Sequence, residues 1–99
     1  MARFDVFDAP DSAGYVVDVQ TDLIDVARTR VVVPLLPVSR TPAPIKRLHP
    51  SFVIAGESFV MATHLIATLP VELLQTSRAS LADRRDEITA ALDMLYQGF

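Results

Sequence analysis

His49 and His64, together with Asp18, Asp22 and Asp25, are the residues of this sequence whose types and spacing come nearest to an active site. A pair of imidazoles can shuttle protons or ligate zinc, and clustered carboxylates can hold a divalent cation. Neither arrangement is complete. The histidines belong to no H-x-x-x-H or H-E-x-x-H pattern, so each is read as a surface or hydrogen-bonding residue. The aspartates fall in an extended-to-turn stretch where carboxylates at these spacings diverge, and turn-forming or capping roles suit them better. There is no cysteine, which excludes disulfides and thiolate metal sites, and no serine sits in a G-x-S-x-G. Three scattered glycines make no phosphate-cradling loop. The expectation is a protein without catalytic residues, metal or cofactor.

The elements that must position these residues are short. Arg3–Phe7 alternates, with Phe4 and Val6 on one face, and the turn-rich 9–14 stretch leads to a returning strand over Tyr15–Gln20. Arg30–Leu36 is almost continuously apolar, as in a strand covered on both faces. Pro34 has no ladder donor, so that strand is bulged, lies at an edge, or stops there. The segment Pro37–Arg47 holds prolines and cations and reads as an exposed loop. Ala55-Gly56 between two apolar runs signals a tight hairpin. Pro70 interrupts the apolar run from Leu65, and Val71–Gln75 is ambiguous between strand and helix. Ser80 followed by Asp83 resembles a helix start. Ile88, Leu92, Leu95 and Phe99 then lie on one helical stripe, which is core packing first of all. Phe99 either folds back onto that core or protrudes. The pattern predicts a mainly antiparallel β chain with one C-terminal helix, barrel-like or sheet-plus-helix.

Ninety-nine residues with 51% apolar content are expected to form one domain over 1–99. A chain of this size leaves much of its surface uncovered, which dimerisation would remedy. No apolar run is long enough to span a bilayer and no signal segment opens the chain, so a soluble, cytoplasmic protein without membrane contact is expected. The net charge of −3 hides segregation. Six aspartates up to Asp25 face Arg3 alone; Arg28, Arg30, Arg40, Lys46 and Arg47 follow with no acid; acids dominate again after Glu57. Either neighbouring strands neutralise the first two blocks, or the basic block meets an acidic partner. Nucleic acid is a poor candidate, because the basic stretch has no interleaved aromatics.

From "VDVQTDLID" (Val17–Asp25) onward, the sequence resembles the CcdB family of plasmid-maintenance toxins, which poison DNA gyrase. The likeness continues through "RVVVPL" (Arg30–Leu35), the P-x-x-V-I-x-G-E-S-x-x-M-x-T pattern from Pro50 to Thr63, "LPV" (Leu69–Val71) and "DEITAALDMLYQGF" (Asp86–Phe99). The resemblance implies an SH3-like, CcdB-type barrel: a five-stranded antiparallel sheet, a small second sheet and a C-terminal helix, assembled as a homodimer. It implies a toxin of a type II toxin–antitoxin pair that enters the gyrase A subunit dimer and traps cleaved DNA without chemistry of its own. Contact with DNA would be only indirect, through gyrase or the autoregulating toxin–antitoxin complex. A CcdA-like antitoxin would neutralise it.

By the same resemblance, the gyrase-facing residues are Leu23, Ile24, Asp93, Gln97, Gly98 and Phe99. Leu23, Ile24, Asp93 and Tyr96 would also meet the antitoxin, and Arg40, Lys46 and Arg47 are inferred to receive its acidic tail. Leu23 and Ile24 are equally readable as dimer or core residues. Gln97 departs from the family, which has Trp there, stacked on a gyrase arginine. The departure leaves weakened binding, a gyrase with a different contact residue, or a changed target. Two other readings remain: an endoribonuclease toxin of the MazF type on the same scaffold, and a homologue that binds antitoxin but poisons nothing.

Overall fold

The computed structural model describes residues 2–10, 14–23, 28–41 and 43–98. Seven strands form one barrel-like sheet: β1 (Asp5–Asp8), β2 (Tyr15–Asp18), β3 (Thr29–Pro37), β4 (Ser51–Ile54), β5 (Glu57–Met61), β6 (Ala67–Pro70) and β7 (Ala79–Ser80), followed by helix α1 (Arg85–Gln97). Every pairing is antiparallel, in the order β4-β5-β3-β2-β1-β7, with β6 also joined to β3.

β3 is the branch point. One edge pairs with β2; the other pairs with β6 over Thr29–Val32 and then with β5 over Leu35–Pro37. This replaces the expected five-stranded sheet with a separate small one, because a nine-residue strand is long enough to hold two partners end to end. Pro34 falls at the changeover. Its carbonyl accepts the Ala62 amide, so its nitrogen faces the gap between β5 and β6, where the ladder asks for no donor. Pro34 therefore neither bulges nor ends the strand.

Period-two alternation divides the apolar residues between two faces. Val6, Val17 and Val33 align across three strands and are fully buried, joined by Leu35, Phe59 and Met61. Helix α1 covers this face with Ile88, Ala91 and Leu92. The opposite face carries a smaller cluster of Phe7, Val16, Val32 and Leu74. Phe4 shows which effect wins at the start of the chain. Its φ of 75° is strained by roughly 1–2 kcal/mol for a side chain of this kind. Its ring is buried with the core, worth about 1.5–3 kcal/mol, and its amide and carbonyl are both bonded, to Asp18 and Leu81.

Three connections are set locally. Gly14 passes so close to β3 that a Cβ there would lie 2.5 Å from the Leu35 carbonyl oxygen, so only glycine fits. The β4–β5 turn has φ of 53° at Ala55 and 80° at Gly56, the two-residue hairpin geometry that the dipeptide predicted. The ambiguous Val71–Gln75 segment is a short 3-10 turn over Val71–Leu73. β4 is the outer strand on its side; Val53 is 69% exposed there, and the Arg84 guanidinium lies 4.8 Å above the Phe52 ring.

The expected helix start at Ser80 is not observed. Ser80 pairs with Asp5 in β7, its hydroxyl accepts the Ala82 amide, and a 3-10 turn over Ala82–Arg84 precedes α1, whose first turn has no side-chain cap. Asp86 and Glu87 supply the negative charge that the helix N-terminus favours. No helix of the described residues is long and apolar enough to cross a membrane.

Candidate partner-binding site

The first part of the site is the turn after β2. Asp18 is fully buried, and one of its oxygens lies 2.8 Å from the Arg30 guanidinium, itself almost buried. Its other oxygen accepts the Gln20 amide at 3.0 Å. The same guanidinium donates to the Gln20 carbonyl at 3.1 Å and reaches Asp22 at 3.3 Å. Asp22 in turn accepts the Arg3 amide, and the Arg3 side chain donates to the Val19 carbonyl. Asp18 and Asp22 are thus salt-bridged braces, a stronger role than the turn-forming one their spacing predicted. Asp25 lies outside the described residues, so the third carboxylate has no structural account.

Burial pushes the Asp18 carboxyl up, against the pull of the Arg30 guanidinium. A raised folded value means this group's contribution to stability is present in acid and declines as pH rises through that value. The brace is a device for position more than for stability. What it positions is Leu23, whose side chain is 93% exposed one residue beyond Asp22. Ile24 also falls outside the described residues.

The second part is the end of α1. Gly98 adopts φ 80° and ψ 10°, and its amide donates to the Met94 carbonyl, which closes the helix in the left-handed cap that glycine tolerates. Ile88 and Ala91 are buried beneath the helix and Met94 and Leu95 half-buried, whereas Asp93, Gln97 and Gly98 are exposed and Tyr96 is 71% exposed. Of the stripe read from the sequence, Ile88 and Leu92 therefore belong to the core and Leu95 is half-buried, while the family-matched Asp93, Tyr96, Gln97 and Gly98 are left open. Phe99 is outside the described residues, so its choice between core and solvent stays with the sequence.

The third part is the basic segment. Charge pairing accounts for some of it: Arg30 joins Asp18 and Asp22, while Arg28 pairs with Glu72 at 2.8 Å; outside the segment, Arg78 pairs with Asp8 at 2.8 Å. Arg40, Lys46 and Arg47 are exposed and make no ion pair among the described residues. The neutralising reading of the charge blocks thus holds for Arg30, whose partners Asp18 and Asp22 belong to the acidic block. Arg40 also lines a cavity of about 480 Å³ with Asp8, Tyr15, Ser39 and Glu57. An apolar groove of about 250 Å³, lined by Val16, Val32, Pro34, Leu36 and Leu69, opens on the second sheet face. Sequence reasoning found neither; the only signal was the alternate residues of β3 at 32, 34 and 36.

The histidines come together, which their separation in sequence did not disclose. His49 Nε2 lies 2.9 Å from His64 Nδ1, with the rings edge to face. No hydroxyl among the described residues is bonded to either ring: Thr41, Thr63 and Ser77 donate to backbone carbonyls. No group of three or more His, Asp or Glu among the described residues is placed to hold a metal ion. Among the described residues no nucleophile is held against a base.

The family described as "CcdB protein" matches residues 3–98. Among solved structures, the chain is similar to an "Endoribonuclease in complex with its cognate antitoxin from Mycobacterial species", with a TM-score of 0.77, 19% identity, and 97% of this chain and 94% of that chain covered. At that identity the likeness establishes the fold alone.

The ionic brace makes a measurable demand. Arg30→Met should destabilise the fold by about 3–5 kcal/mol, because it strands a buried carboxyl. Asp18→Asn should cost less, since Arg30 keeps Asp22 and the Gln20 carbonyl. Chemical denaturation of the two variants ranks them.

Proposed function

We propose, for a chain that belongs to the CcdB family of toxin–antitoxin toxins, that it acts by binding the DNA gyrase A subunit and holding the enzyme on cleaved DNA, with no chemistry of its own. It works as a homodimer, and a CcdA-like antitoxin competes for its surface. The observation that carries this reading is the helix end: Asp93, Tyr96, Gln97 and Gly98 project uncovered from a helix whose other side is locked into the core. A rigid base with an exposed tip suits insertion into a cleft, since little ordering cost remains for the bound state. Leu23, held out on its braced turn, adds an apolar contact, and Ile24 and Phe99 join by family position.

Gln97 sets the strength. Without a ring face it gives no stacking on a cationic side chain, an interaction worth about 0.5–2 kcal/mol. In titrations against a gyrase A fragment, Gln97→Trp should tighten binding by roughly 2–30-fold, as that range implies. Absence of binding by both proteins would remove gyrase as the target. Binding by the Trp variant alone would identify a homologue that keeps its antitoxin but poisons nothing; wild-type expression without antitoxin would then leave growth unchanged.

One observation favours a second reading. The fold matches an endoribonuclease and presents three cations with no ion pair among the described residues, the raw material of an RNA groove. Incubation of pure protein with defined RNA decides: intact RNA is expected, and cutting that disappears in Arg40→Ala/Lys46→Ala/Arg47→Ala would replace the gyrase reading.

These cations receive the acidic segment of the antitoxin in the favoured reading. The same triple variant should bind antitoxin about tenfold more weakly at low salt and show a flatter dependence on salt concentration. Isothermal titration at two ionic strengths measures both; unchanged affinity would free the cations from this role.

A further inference from the structure

We propose that His49 and His64 form a proton-operated latch, which fastens the cationic loop ending at Arg47 to the sheet near neutral pH and releases it in mild acid. The bonding pattern allows only one protonation state. His49 Nδ1 accepts the Ile45 amide at 2.8 Å, so this nitrogen carries no proton and the neutral ring must carry it on Nε2. That Nε2–H then donates to His64 Nδ1 at 2.9 Å, so His64 in turn carries its proton on Nε2. Both bonds exist together only when both rings are neutral. A proton added to His64 Nδ1 puts two donors face to face. A proton added to His49 Nδ1 opposes the Ile45 amide instead. Either way one of the two bonds is lost.

The same pattern excludes the obvious alternative, a two-histidine metal site. Ligation through His49 Nε2 would require the proton on Nδ1, where the Ile45 amide already points. General acid/base catalysis is also ill served, because the two nitrogens are bonded to each other and leave no space for a substrate atom.

The pair sits where release has consequences. The His49 amide donates to the Ile45 carbonyl, which closes the 45–49 turn, and the buried Thr63 hydroxyl donates to the Leu48 carbonyl. These bonds and the imidazole pair join the end of the loop to the Thr63–Leu65 turn. That turn is itself anchored through Ala62 to β3. The elements packed around the rings bring no carboxylate to them: β3 contributes Leu36, β5 Val60, the turn Leu65, and the loop Thr41 and Pro44. The loop's own charges, Arg40, Lys46 and Arg47, are all cations. Helix α1, packed on the turn, carries Arg85, Asp86, Asp93 and Glu87, the last engaged by Arg84 at 2.7 Å. Burial, and then repulsion from any proton placed on the neighbouring His64, hold His49 below the usual imidazole range. The sign follows: a base whose protonation is disfavoured in the closed state keeps that state intact above about pH 6.5, and closure weakens as pH falls below it.

Amide hydrogen exchange on the full chain tests this, with protection factors corrected for intrinsic rates. The Ile45 and His49 amides should lose protection on the order of tenfold between pH 7.5 and 5.0, while Val17 and Val33 hold theirs. In His49→Asn the side-chain oxygen can cap the Ile45 amide without titrating, so the pH dependence should vanish at that amide. Unchanged wild-type protection at pH 5.0, or the same loss in His49→Asn, would overturn the latch. Imidazole nitrogen shifts of the wild type at pH 7.5 give an independent check: a protonated His49 Nδ1 would overturn it equally.

Discussion

The Arg30 guanidinium, buried against Asp18 and within reach of Asp22, is the constraint on which the presentation of this molecule depends. A charge removed from water costs several kcal/mol unless its donors are met. Here the donors find a carboxylate, a second carboxylate and the Gln20 carbonyl. Satisfying them fixes three pieces of chain at once: the end of β2, the start of β3 and the turn residues Gln20 and Asp22. The N-terminal arm follows, because Asp22 accepts the Arg3 amide and the Asp18 carbonyl accepts that of Phe4. An apolar contact in place of the ion pair would hold the strands as well, but it would not dictate where Leu23 stands.

β3 distributes that order through the sheet. Its two end-to-end partners let one strand serve both the face under α1 and the face with the apolar groove. Helix α1 is then clamped along Ile88 and Ala91, and its tip has a firm base. The turn between β5 and β6, where the partners change over, is also where the loop carrying the unpaired cations is fastened. Three separated surface features, Leu23, the helix end and the cationic loop, thus trace back to one strand and its neighbours.

Much of this was legible in the residues. The apolar run of β3, the Ala55-Gly56 hairpin and the Ile88/Leu92 stripe each record a local rule that tertiary structure did not override; Phe4 is buried beside Val6 as its alternation predicted, but from a left-handed backbone just ahead of β1. Other features were not, for physical reasons. Ser80 has the chemistry of a helix cap, but β1 offered it a strand partner and the 3-10 turn intervened. Asp18 does close a turn, accepting the Gln20 amide two residues on, but its ion pair was hidden because the partner guanidinium lies twelve positions away. The imidazole contact needs the β4–β5 hairpin to bring residue 64 back to residue 49. Family likeness assigned Leu23, Asp93, Tyr96, Gln97 and Gly98 to partner contacts; the structure gives their exposure, and local pattern alone distinguishes none of them from ordinary solvent-facing positions.

The outer strand β4 carries a consequence of another kind. An open rim with an uncovered valine would normally invite copies of the chain to stack strand upon strand without end. This rim is only four residues long. Pro50, which has no amide hydrogen, stands at one end, the tight reversal at Ala55-Gly56 closes the other, and the Arg84 charge lies over Phe52. Too few backbone groups are left along β4 for an added copy to gain much, so this rim resists strand-upon-strand stacking when the molecule is concentrated.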